Sequence, residues 1–154
     1  MLGVVLPIFS VLNASAALGM MDEAIDRTIT HVTSTRFEHL ATPLSQLPTI
    51  RAYIARMRIK ADMASALLDD TLSALETQSD QAMLRVLEVK AAAGEAANEV
   101  LDIAMRVCGG AAFRKEVGVE RYFRDARASM VMAPTADQLY DFIGRALCGL
   151  DLFA

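Results

Sequence analysis

Apolar residues recur along this chain at steps of three and four rather than two, which predicts helices almost throughout. Ile50, Ile54, Met57, Ala61, Ala64, Leu68, Leu72 and Leu75 form one unbroken seam, and Pro48 stands where that helix opens. The segment "TQSD" interrupts the pattern, with Ser79 placed as an N-cap. A third helix is predicted from Asp80 to Cys108. Its seam of Leu84, Leu87, Ala91, Gly94, Ala97, Leu101, Ala104 and Cys108 is small in the middle and large at both ends. Small seam residues admit a neighbouring backbone closely, so this helix is expected at the centre. Gly109-Gly110 stops it.

The remaining punctuation is sparse. A first helix is expected from Pro7 to His31, then a loop over 32–48, "VTSTRFEHLATPLSQLP". A short helix is expected from Val119 to Ala128. The last helix opens on a capping box, Thr135 with Gln138 three residues on, and its expected buried stripe is Leu139, Phe142, Ile143, Ala146, Leu147 and Leu150. No strand alternation persists and no internal repeat is present. The expected fold is all-α, an antiparallel four-helix bundle with short additional helices, as one domain over residues 1–154.

Composition sharpens this picture. Hydrophobic residues make up 54%, mean hydropathy is +0.33, and there is no Trp. Ala, Leu and Met dominate, a mixture suited to close helix packing with Met filling gaps. Net charge is −4 and the sequence shows no Lys/Arg cluster, which argues against nucleic acid as a partner. Cys108 and Cys148 lie in apolar helical stretches and are expected to be buried thiols in a reducing cytosol. Residues 1–21, "MLGVVLPIFSVLNASAALGMM", carry no charge, and Ala14-Ser15-Ala16 mimics a cleavage site. No basic n-region precedes them, the first arginine is Arg27, and Asp22, Glu23 and Asp26 follow. The expectation is a helix buried in the bundle, no membrane span, and a cytoplasmic location.

Candidate chemistry is thin. His31 and His39 are eight apart, with no HExxH, CxxC or ExxH, so no metal is expected. Asp22/Asp26 and Asp69-Asp70 read as solvated helix faces. No glycine-rich phosphate loop follows a strand, and no Ser/His/Asp set is identifiable.

One stretch is more specific. In "VCGGAAFRKEVGVERYFRDARASMVMAPT" a Gly-Gly stop precedes Phe113, and Glu120-Arg121 precedes Arg124-Asp125 at a fourteen-residue step from Gly110 to Arg124. Thr135 then opens a helix. That order resembles the C-terminal domain of acyl-CoA dehydrogenases, whose members read "GG-x-G-[FY]", "E-[RK]-x-x-R-D" and "E-G-T". Ala112 replaces the third glycine. The likeness extends upstream to "ALGMMDEAI" and covers essentially the whole chain.

The resemblance implies a bundle domain of a flavoprotein that oxidises acyl-CoA at the α,β carbons, packed as a dimer or tetramer and contributing part of an FAD site. Arg36 would reach the pyrophosphate of FAD held largely by a neighbouring subunit. Arg106, Gly109 and Gly110 would lie near the adenosine half, and Thr135 would offer a hydroxyl and a backbone N–H to the flavin edge. The glutamate of "E-G-T", the family's proton-abstracting base, corresponds here to Ala133, whose methyl group accepts no proton. The alternative base position, at Val5-Leu6, also lacks a carboxylate. No catalytic residue is therefore expected. The N-terminal helical and middle β domains of the family have no counterpart in these residues, so association with a full-length flavoprotein subunit is a further expectation. Two alternatives stay open: a flavin-free helical self-association module, and the bundle domain of a related flavin-dependent monooxygenase, which needs no α-proton base.

Overall fold

The computed structural model describes residues 2–36 and 42–151. Three long helices dominate: α1 (Leu2–Ser34), α2 (Pro48–Glu76) and α3 (Ala82–Cys108). Three shorter ones follow, α4 (Val119–Ala126), α5 (Ala128–Val131) and α6 (Ala136–Leu147), with 3-10 turns at Leu44–Gln46 and Gly109–Phe113. Among the described residues there is no strand, and the one isolated bridge joins Arg36 to Pro43.

The side chains fix the helix directions. Lys90 lies over Phe9 and the Cys108 thiol meets Thr28, so α1 and α3 run parallel. Asp22 pairs with Arg58, Lys60 with Glu99 and Asp70 with Arg85, so α2 runs antiparallel to both. These carboxylates are therefore pins between helices as well as solvated groups. Tyr122 sits beside Arg27 and Ala126 beside Asn98, which brings α4 back antiparallel along α3.

As its small seam requires, α3 is central. Val86, Val89, Ala93, Ala97, Val100, Leu101, Ala104 and Val107 are buried on several sides of it. Ala14, Ala17, Met21, Ala24 and Ile25 of α1 pack there, as do Met57, Ala61, Ala64 and Leu68 of α2. At Gly94 a β-carbon would stand 3.2 Å from the Ser129 hydroxyl, so the absent side chain is what lets α5 approach α3.

Several boundaries and burials differ from expectation. Helix α1 extends beyond Pro7 and His31 at both ends, since a proline within the first turns displaces few backbone bonds. Ser79 accepts from the Gln81 N–H in the turn, and α3 starts at Ala82 with Gln81 as its N-cap. The expected helix over 119–128 ends at Ala126, followed by α5. Only one face of the uncharged N-terminal run is buried: Val4, Ile8 and Leu12 are 65%, 57% and 63% exposed. The most apolar eighteen-residue window of α1 has a mean hydropathy of 1.9, enough by length and composition to cross a membrane, and 28% of that window is buried. In α6 the stripe stops early. Leu139 is buried, with Phe142 and Ile143 half-buried beside Leu87 and Ala91, whereas Ala146, Leu147 and Leu150 are exposed because α6 runs past the end of the surface it covers. Cys148 is exposed for the same reason, correcting the expectation of two buried thiols; Cys108 is buried.

Candidate functional site

The predicted site residues fall at two ends of the bundle. At the first end, α3 stops because Gly109 takes φ +56°, a left-handed conformation that costs glycine little. Nothing lies within 4 Å of where a β-carbon would stand on Gly109 or Gly110, so this backbone is open to an approaching ligand. Arg106, one turn earlier, is 68% exposed and held by Asp102 at 2.9 Å. Arg36 stands just beyond α1, where its bridge to Pro43 and the Leu44 N–H donating to the Thr35 carbonyl close the loop base. Thr35 and Arg114, one step from Arg36 and from Phe113, line a single cavity of about 400 Å³ with Arg27, Thr30 and His31. Burial and then the nearby Arg114 guanidinium push the His31 imidazole below its usual pKa. Exposed glycine backbone with arginines close by suits a dinucleotide, whose diphosphate arginine matches through paired N–H donors.

At the second end lie Ala133 and Thr135. Thr135 caps α6: its hydroxyl accepts from the Gln138 N–H at 3.5 Å, and its own N–H donates to the Gln138 side chain at 3.0 Å. The capping box leaves the hydroxyl proton, and not the N–H, for a ligand. Beneath this turn is Lys90, which the sequence reading passed over. It is 1% exposed, and its ammonium donates to the carbonyls of Met132 at 3.0 Å and Pro134 at 2.6 Å. The Phe9 ring lies 5.7 Å away. Burial pushes the ammonium below its usual pKa. Its signal was a lone lysine within the apolar run "VLEVKAAAG". Nearby, Ser10 and the Asn13 carbonyl oxygen are buried without a hydrogen-bond partner among the described residues.

Lys90 and Cys108 are eighteen residues apart on α3, so the two ends are separated by about 27 Å along the axis. Arg36, Arg106, Gly109 and Gly110 gather at one end and Thr135 at the other. Arg124 pairs with Glu120 at 3.0 Å. Among the described residues no group of His, Cys, Asp and Glu could hold a metal; His39 lies outside them.

Helix order, the Gly-Gly stop and the turn before α6 together define one class of helical domain. The chain belongs to the acyl-CoA dehydrogenase family through its C-terminal domain, whose profile matches residues 8–148. It is 30% identical over 124 residues to the mitochondrial short-chain specific acyl-CoA dehydrogenase of Bos taurus, covering 80% of this chain and 29% of that protein. It is 28% identical over 134 residues to the cyclohex-1-ene-1-carbonyl-CoA dehydrogenase of Geobacter metallireducens, covering 87% and 35% respectively. The structure of PigA with FAD and proline superposes with a TM-score of 0.86 over 93% of this chain and 37% of that one, at 17% identity, a likeness of fold. The chain thus spans about a third of the length of the relatives it matches.

Proposed function

We propose that this bundle serves an acyl-CoA dehydrogenase-like flavoprotein, supplying its oligomer contacts and two separate parts of an FAD site. The observation that carries this reading is the separation of about 27 Å between the Gly109-Gly110 end and the Ala133–Thr135 end. In an assembly of two chains, the Arg36/Gly109-Gly110 end of one copy would serve the cofactor whose other side meets the Thr135 end of its partner. Arg36 and Arg106 would hold phosphate oxygens, and the glycine backbone would lie against the adenosine half. FAD, when bound, supplies the hydride acceptor. Ala133 offers no base, so this chain binds and positions without taking the substrate's α-proton. The stripe of Val4, Ile8 and Leu12 would be covered by a second copy.

The test is a titration of the purified chain with FAD, followed by flavin fluorescence. Saturable quenching is expected, with Arg36→Ala and Arg106→Ala each weakening it roughly tenfold, the scale of one charge-assisted hydrogen bond. No quenching, or equal affinity in both variants, would overturn the reading.

A further inference from the structure

Five cations scattered along the sequence, Arg27, Arg114, Lys115, Arg121 and Arg124, are brought by the fold to one side of the α1–α4 contact. Four of them, Arg27, Lys115, Arg121 and Arg124, line a cleft of about 410 Å³ together with Gly118, Tyr122 and one carboxylate, Glu120. This cleft is beyond the FAD reading, which places no cofactor contact on Lys115, Arg121 or Arg124.

Its walls are held in place. Arg27 is tied to Glu23 at 2.8 Å, and its guanidinium lies 5.7 Å from the Tyr122 ring. It also fits against Gly118, where a β-carbon would stand 2.7 Å from an Arg27 nitrogen. Gly118 adopts φ +72°, so both its conformation and its missing side chain serve this packing. Arg121 stacks on the same ring at 4.7 Å and donates to the Tyr122 hydroxyl at 2.9 Å. Tyr122 thus organises two guanidinium groups, and both keep further N–H donors.

The charges do not balance. Glu23 answers Arg27, and Glu120 answers Arg124 at 3.0 Å. Among the described residues, neither Arg121 nor Lys115 has a carboxylate within 4.0 Å. Two uncompensated positive charges therefore face one cleft in a chain whose net charge is −4. Carboxylates would also lower a site's positive potential, and only Glu120 lies within the lining, already engaged.

We propose that this cleft binds a diphosphate group. Two free cations match its charge, guanidinium forks match its oxygens, and the cleft has room for two linked phosphates. The group could belong to a free phosphorylated metabolite or to a dinucleotide.

Inorganic pyrophosphate is the probe, titrated calorimetrically into the purified chain against chloride at matched ionic strength. A site retained in Arg36→Ala with Arg106→Ala is expected, one per chain. Arg121→Gln with Lys115→Gln, both at exposed positions, should weaken it at least about tenfold, while Arg56→Gln on α2 should leave it unchanged. Circular dichroism confirms that the variants fold. A parallel FAD titration of Arg36→Ala with Arg106→Ala separates the sources: competition with pyrophosphate assigns the cleft to a dinucleotide, and its absence assigns it to a free diphosphate. No heat beyond the chloride control, or equal affinity in the double variant, would overturn the proposal whatever FAD does.

Discussion

The Lys90 ammonium stands 2.6 Å from the Pro134 carbonyl oxygen, so a buried cation on α3 fastens the turn that carries Ala133. No carboxylate within 4.0 Å neutralises it among the described residues. Its hydration is replaced by two carbonyls and the face of an aromatic ring.

Two substitutions separate charge from packing. Lys90→Met keeps the apolar stem, relieves ammonium desolvation and leaves two carbonyls without their donor, a net loss of about 1–2 kcal/mol. Lys90→Ala loses the same bonds and opens a cavity, so urea unfolding should show it less stable than Lys90→Met by about 1 kcal/mol or more. Equal stability of the two would mean that the stem packs against nothing.

Thiol labelling distinguishes the two cysteines. Burial pushes the Cys108 thiol above its usual pKa, against a weaker opposing effect of its contact with Thr28. The folded chain should react with a maleimide once, at Cys148, and twice in urea. Fast labelling of a Cys148→Ser variant under native conditions would contradict the packing of α1 on α3.

His31 gives a pH signature. Its folded-state pKa lies below the unfolded value near 6.5, so the unfolded chain takes up a proton first as pH falls. Its contribution to stability is therefore fully present above about pH 6.5 and is lost as the pH drops through the lower folded value. The stability of wild type relative to His31→Asn, read from denaturant melts, should fall as the pH drops from neutral through the lower folded value. Parallel curves across that range would rule out the role.

The outer stripe of α1 predicts self-association. Ile8→Glu with Leu12→Glu places two charges on an exposed apolar face without touching the buried one. The variant should keep its helical signal while its association weakens by tenfold or more. An unchanged oligomer would move the interface elsewhere.

Helix period and turn chemistry made the bundle readable in advance. The seam from Leu87 to Cys108 named the central helix, Gly94 marked a close approach, and Thr135 with Gln138 formed the expected cap. Burial failed where periodicity says nothing about extent: Leu147 repeats correctly on α6 but has no partner surface beyond Ile143. The candidate residues were legible one at a time through motif resemblance. Their division between opposite ends was not, because it depends on α1 and α3 running parallel. The cationic cleft was hidden for a related reason. Arg27 is about ninety positions from Lys115 and Arg121 in sequence, and only α4 folding back along α1 brings them together.

Sedimentation velocity recorded at a flavin absorption band, with FAD added, addresses the two-ended site most directly. The flavin should travel with a species of at least two chains, and in Ile8→Glu with Leu12→Glu it should sediment as free cofactor. Flavin moving with a monomer, or never leaving the free boundary in the wild-type chain, would contradict a cofactor shared between copies of this bundle.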